Sequence, residues 1–430
     1  MVFSGYFIFI SDLGLSPYGQ TAIANDKEGA PAIIGGIFSL SLVLSFVSMV
    51  VLVVFSALLF RDEEIQRNML IIAAFAPVIR AFGFEYAITA LEKNHVFSIS
   101  VSAGRVVYFL GVYLFVENAK DYMLAMTLFL AGWAVSEIIQ SGYIFKKFAG
   151  KIRPYFGFGK LKGIFLSAAP YGIVSGLVML YQGFPVIFLK FLTPDRYVGF
   201  YYIANRLIFF IFVFFNLTGS AFIPIIADGV KEDSAKRTPW VMGELIRFAY
   251  TASLPVCFGG FAVSGLIISR LFGGGFILSA EAFAVLIWSV FFVSLSSVFS
   301  GFLTAVKDKR GLLISSAVTA VLSLFATFVL TLKFGIYGAA LSVPLATGAM
   351  SFALGFFVLR RLRPGFDALN FVKVVLASSV MALAVKLIHG GLLESVLSGA
   401  AIYVIISVLL RTVKKSDLNE AKKILLGSGL

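Results

Sequence analysis

Ile33–Phe60 reads IIGGIFSLSLVLSFVSMVVLVVFSALLF and holds no charged residue. As a helix rising 1.5 Å per residue it outreaches a hydrocarbon core of about 30 Å. The run is continuous and does not alternate, so it reads as a helix and not as a barrel strand. Backbone groups in lipid need internal partners, which restricts spanning structures to helices and closed barrels. Similar runs recur from end to end. The spans expected are Ile33–Phe60, Asn68–Leu91, Val96–Val116, Tyr122–Phe145, Gly163–Leu192, Tyr197–Ile225, Val241–Ser269, Ser279–Thr304, Gly311–Leu332, Ile336–Leu359, Phe371–Ile388 and Leu392–Leu410. Met1–Ile10 is too short to span alone. With Ser11–Ile23 it makes a thirteenth segment, broken by Gly14, Pro17 and Gly19. The fold class expected is all-α and polytopic, with about thirteen transmembrane helices.

Composition agrees. The 430 residues are 60% hydrophobic with 13% charged, against about 25% charged in soluble domains. Mean hydropathy is +0.97. The start lacks a basic region and a convincing cleavage site, so it does not read as a signal peptide. The net charge of +13 does not imply nucleic acid, because the cations sit between apolar runs. Numbering loops from the one after Ile23, the odd loops and the C-terminal tail hold 22 Lys and Arg against 7 in the even loops. The positive-inside rule then puts the odd loops and the C-terminus on the cytoplasmic side.

The organisation expected is a bundle over residues 1–145, a basic linker over 146–162 (KKFAGKIRPYFGFGKLK completes it), a second bundle over 163–360, two further helices over 361–411, and a cytoplasmic tail over 412–430 with an amphipathic helix near Ser416–Leu426. The bundles look alike. Placing Ala90 on Ala305, an offset of 215, aligns ALEKNHVFSISVSAGRVVYFLGVYLFVENAKDY with AVKDKRGLLISSAVTAVLSLFATFVLTLKFGIY without gaps. Hydropathy and loop positions match, and parallel repeats of this kind are known in two-lobed transporters.

Charges inside spans are costly and mark function. Arg80 and Arg105 lie mid-segment and suit a phosphate-bearing ligand, since guanidinium makes forked contacts to phosphate; the alternative is pairing with a carboxylate for packing. Glu85 and Glu137 are counter-ions to those arginines or protonatable groups. Arg206, with Asn205 beside it, lies about three turns into its helix and is a candidate cavity residue. Asp12 is a further candidate beside a helix break, or a packing residue. Lys190 reads as snorkelling to the interface. Cys257 reads as a small core residue, and Gly172 with Gly176 forms a GxxxG whose default meaning is close helix contact. GFGKLK at Gly157 lacks the spacing of a nucleotide loop. No cofactor or metal is expected. With only His95 and His389 and short outer loops, a membrane glycan polymerase or another enzyme is disfavoured.

Several stretches resemble one family. SDLGLSPYGQTAIA (Ser11–Ala24), VGFYYIANRL (Val198–Leu207), AFIPIIA (Ala221–Ala227), LFGGGFILSAEAFAVL (Leu271–Leu286), LTAVKDKRGLLIS (Leu303–Ser315) and FGIYGAALSVPLA (Phe334–Ala346) occur in an order similar to that of O-antigen and capsule polysaccharide flippases, within the multidrug/oligosaccharidyl-lipid/polysaccharide exporter superfamily. The resemblance implies two six-helix bundles plus two C-terminal helices, with the family's first helix missing here. It implies a transporter of an undecaprenyl-pyrophosphate-linked oligosaccharide in lipopolysaccharide or capsule biosynthesis, placed in the inner membrane of a bacterial or archaeal cell. That transporter would work by alternating access, coupled to H+ or Na+, and meet membrane lipids and polysaccharide assembly proteins. A peptidoglycan-precursor flippase or a drug/cation exporter of the same fold remains open.

Overall fold

A computed structural model describes residues 2–118, 121–221, 237–306, 308–362, 364–388 and 390–412. The tail helix expected at 416–426 and most of AFIPIIA lie outside the described residues. Every regular element among the described residues is helical: α1 (Val2–Asp12), α2 (Leu15–Asn25), α3 (Ala30–Leu59), α4 (Glu64–Ala73), α5 (Ala76–Ala81), α6 (Glu85–Ala90), α7 (Asn94–Phe115), α8 (Tyr122–Phe148), α9 (Phe158–Leu192), α10 (Asp195–Ala221), α11 (Arg237–Phe272), α12 (Ile277–Leu286), α13 (Ser289–Ala305), α14 (Lys309–Arg361), α15 (Ala368–Leu387) and α16 (Leu392–Leu409).

Ten helical segments of the described residues are long and apolar enough to cross a membrane, and α9, taken as one span, makes an eleventh. The 53-residue α14 would be about 80 Å long if straight. It is not straight. The backbone leaves the helix at Gly335 (φ 55°, ψ −128°), and a Cβ on Gly338 would fall 1.9 Å from the Leu330 carbonyl oxygen. Only glycine fits so close a return, and α14 is therefore a hairpin of two spans. With it the count reaches the twelve expected from hydropathy. The thirteenth segment is broken as its glycines suggest, at Leu13 (φ 38°) and Gly14 (φ 86°), whereas Pro17 and Gly19 lie inside α2.

The side-chain distribution is that of a chain solvated by lipid. The most apolar window of α3 has hydropathy 2.8, yet only 22% of it is buried. Phe46, Val47, Val51 and Val54 face outward, while Ser39, Ser45, Ser48 and Ser56 are fully buried. Lipid tails solvate large apolar groups as well as a protein core does, so small and polar residues take the helix contacts. The chain is a multi-pass membrane protein.

Two compact units divide at Met179/Leu180, inside α9. In the first, Leu15, Ile34, Ile37, Phe38, Phe84, Ile88 and Ile144 form the main core. The GxxxG of α9 does what its spacing suggests: a Cβ on Gly172 would lie 2.4 Å from the Leu13 carbonyl oxygen, and one on Gly176 3.0 Å from Phe9. In the second unit, Met242, Ile246, Tyr250, Leu254, Phe302, Leu354 and Val374 form the core. There α15, one of the two C-terminal helices, packs on α11, where Asn370 Nδ2 donates to the Tyr250 hydroxyl at 3.1 Å. Cys257 is buried and donates to the Ile287 carbonyl at 3.2 Å.

Candidate functional site

The span expected over Asn68–Leu91 is not one helix. It breaks into α4, α5 and α6, and the second break, Phe82–Phe84, sets the site. Arg80 stands in the last turn of α5 and Glu85 in the first turn of α6, where a cation and an anion suit the exposed carbonyl and N–H ends of the respective helices. The break folds the two toward each other, with Arg80 Nη2 3.3 Å from Glu85 Oε2. From α8, Glu137 Oε1 lies 3.8 Å from Arg80 Nη1. Gly83 makes the room: a Cβ there would be 2.2 Å from Arg80 Nη1 and 2.8 Å from Glu137 Oε2.

Arg80, Glu85 and Glu137 line a cavity of about 360 Å³ between α5–α6 and the α7–α8 pair. The two helices of that pair approach at Gly104 and Gly132, where a Cβ on either would meet the other's carbonyl oxygen at 2.3 or 2.5 Å. Arg105, Tyr108, Phe129, Trp133, Ser136 and Gln140 complete the wall. Tyr108 and Phe129 meet edge to face at 5.6 Å, and Phe129 and Trp133 lie 6.2 Å apart. Trp133 Nε1 donates to Glu137 Oε1 at 2.9 Å, and Gln140 Nε2 donates to Ser136 Oγ at 3.2 Å.

Two acceptors are left over. Glu137 Oε2 and Gln140 Oε1 are buried with no hydrogen-bond partner, although Glu137 is 3% and Gln140 1% exposed. Buried polar atoms are seldom left so, because each costs about 1–3 kcal/mol; a ligand that donates hydrogen bonds would relieve both. The arginines differ. Arg80 is held by two carboxylates, while Arg105 is exposed and has no acidic partner among the described residues. The cavity is thus a lined groove with one unneutralised cation, an aromatic wall and buried acceptors.

The other candidates do not line this cavity. Asp12 accepts the backbone N–H of Ser16 at 3.2 Å and its hydroxyl, so it caps α2 across the Leu13–Gly14 break. It lines a second space of about 10 Å³ with Ser11, Tyr86 and, from the other side, Arg80, room for about one water. Asn205 and Arg206 belong to α10 of the second unit. Arg206 is exposed, with its guanidinium 5.7 Å from the rings of both Phe209 and Phe210, and Asn205 is half-buried. Lys190 pairs with Asp195 at 2.8 Å. Sequence reasoning left out Tyr108, Trp133 and Gln140. The signal was present: Phe129, Trp133, Ser136, Glu137 and Gln140 recur at helical spacing on one face of α8. Among the described residues no group of three or more His, Cys, Asp or Glu could hold a metal ion.

A family model described as polysaccharide biosynthesis protein matches residues 1–230, more than half of the chain and the whole of the first unit. The chain belongs to the polysaccharide biosynthesis protein family. Among solved structures, this family member is similar to the lipid II flippase MurJ in an inward closed conformation, with a TM-score of 0.71 and 16% identity over 95% of this chain and 93% of MurJ. It is also similar to a multidrug resistance MATE transporter of the MOP superfamily. The inward-facing form gives a TM-score of 0.64 and 14% identity over 84% of this chain and 88% of that one. The outward-facing form gives 0.57 and 15% over 84% and 85%. At such identities the likeness is one of fold. No curated protein matches the chain.

Proposed function

We propose that this member of the polysaccharide biosynthesis protein family moves a lipid-linked oligosaccharide, joined to its undecaprenyl carrier by a pyrophosphate, across the inner membrane by alternating access. The observation that carries the reading is the cavity in the first unit. A diphosphate needs a cation at membrane depth, and Arg105 offers one that no carboxylate neutralises. A saccharide brings hydroxyl donors and apolar ring faces. The unpartnered acceptors of Glu137 and Gln140 suit the former, and the wall of Tyr108, Phe129 and Trp133 suits the latter. Arg80 then has a positioning role, holding the buried Glu137 and the half-exposed Glu85. A gradient of H+ or Na+ supplies the driving force in this reading, with Glu137 and Asp12 as the carboxylates to be tested first. The odd loops and the C-terminus face the cytoplasm.

A second reading rests on the charge at the cavity wall, where two glutamates stand against two arginines. Carboxylates beside aromatic rings also take organic cations, which corresponds to a drug exporter of the same fold. One experiment separates the two. The purified full chain is reconstituted in proteoliposomes with a fluorescent polyprenyl-diphosphate saccharide, and its movement is read by quencher accessibility. The expected result is flipping by the wild type and at least about tenfold less by Arg105→Ala. Flipping by Arg105→Ala at the wild-type rate overturns the reading; uptake of an organic cation, lost in Glu137→Gln, favours the alternative.

A further inference from the structure

The stretch from the last turn of α8 through the first turns of α9 is more than a connection. It carries Lys146, Lys147, Lys151, Arg153, Lys160 and Lys162, and the chain has no carboxylate between Glu137 and Asp195. All six cations are exposed. Among the described residues none of them has an acidic partner. Topology alone would ask only for charge in this loop; it would not ask for a scaffold.

A scaffold is present. Ile152 is 7% exposed and belongs to the main core of the first unit. The Tyr155 N–H donates to Ser39 Oγ of α3 at 2.9 Å. Two adjacent glycines in α3 let the loop backbone come down. A Cβ on Gly35 would lie 2.5 Å from the Arg153 carbonyl oxygen, and one on Gly36 2.4 Å from the Tyr155 hydroxyl. Burial of Ile152 and the Ser39 hydrogen bond act against the conformational entropy lost in fixing this backbone. The result holds Lys151 and Arg153 outward on either side of a buried anchor, with Lys160 Nζ 5.3 Å from the Tyr155 ring centre.

Beside the cations stand two aromatic side chains with no cover. Phe156 is 62% exposed and Phe158 83% exposed. The loop begins at the end of one spanning helix and leads into another, so it lies at the membrane–water boundary. Cations there meet headgroups, and exposed rings there meet the upper acyl chains. A soluble polyanion would satisfy the lysines but leave both phenylalanines in water. We infer that Lys146–Lys162 is a binding site for anionic phospholipid headgroups, with Phe156 and Phe158 entering the acyl layer beside them. The inference is independent of what the cavity carries.

The full chain, purified in detergent, is titrated with phosphatidylglycerol or phosphatidylcholine, and bound lipid is counted by native mass spectrometry. The wild type retains phosphatidylglycerol in preference to phosphatidylcholine. The K151Q/R153Q/K160Q variant, checked by its thermal midpoint, loses at least about tenfold in phosphatidylglycerol affinity, a modest expectation for three interfacial charges, and keeps its phosphatidylcholine binding. Equal retention of both lipids by the wild type, or unchanged phosphatidylglycerol binding in the variant, overturns the inference. Displacement by millimolar inorganic phosphate also overturns it, since the site would then read free phosphate and not lipid. Should the variant fail to fold, photoactivatable phosphatidylglycerol on the wild type decides: adducts within 146–162 support the site, and adducts confined to other segments refute it.

Discussion

The α7–α8 hairpin and the α14 hairpin, which the offset of 215 aligns, share a layout and hold opposite contents. At the offset of 215, Asn94 falls on Lys309 and Tyr122 on Tyr337, which are the helix starts or lie one residue from them. Small and hydroxyl positions persist: Ser100 falls on Ser315 and Ser136 on Ser351, all buried. The charged and aromatic ones do not. Arg105 falls on Ala320, Tyr108 on Ser323, Trp133 on Gly348, Glu137 on Phe352 and Gln140 on Gly355. In the second copy α13 closes the groove, with Phe292 3.6 Å from where a Cβ of Gly348 would lie and Phe299 3.3 Å from that of Gly355. In the first copy, the segment in the place of α13 is interrupted at Phe82–Phe84, and Arg80 and Glu85 stand where the offset puts Leu295 and Ser300. The lesson is that the hairpin folds without charge. The charges of the first copy are not needed to build it, and their cost is a mark of use.

Exchanging residues between copies tests this. Glu137→Phe, which writes the second copy's Phe352 into the first, has the largest expected effect. It leaves Arg80 with only the half-exposed Glu85, destabilises the protein by about 3–5 kcal/mol and abolishes transport; an unchanged thermal midpoint in detergent would mean the ion pair contributes nothing. Ala320→Arg makes the reverse exchange. Ala320 is 6% exposed, so an arginine there buries a charge at a cost of about 3 kcal/mol, read as a lower midpoint and reduced membrane yield. Arg105→Ala, copying Ala320, leaves the midpoint within about 0.5 kcal/mol, because the residue is exposed and unpaired, yet lowers flipping at least about tenfold. A fall in both would class Arg105 with Arg80. Trp133→Phe keeps the ring and removes one hydrogen bond to Glu137, worth about 1 kcal/mol; a reduction of a few-fold in flipping with an unchanged fold is expected, and a total loss would give the indole N–H a direct role.

Hydropathy made the spans legible because lipid selects for length and apolarity, both local properties. Tyr122–Phe145 and Leu392–Leu410 were expected where helices Tyr122–Phe148 and Leu392–Leu409 stand. Hydropathy was blind to the breaks inside Asn68–Leu91, since a broken helix and a straight one have the same composition. The site was half legible on the same grounds. A charge inside a span is conspicuous, so Arg80, Arg105, Glu85 and Glu137 were all picked out, and they line one cavity. An aromatic residue inside a span is commonplace, so Trp133 and Tyr108 were not.

The sequence by itself determined an all-helical membrane protein, the position of most of its spans and the residues whose charge needs explaining, because each follows from the free energy of moving a side chain or a stretch of backbone into lipid. Only the tertiary structure decided which of those charges meet. The break at Gly83 turns Arg80 between two glutamates and leaves Arg105 unpaired across the groove, and that pairing depends on how three helices approach, which no single segment encodes.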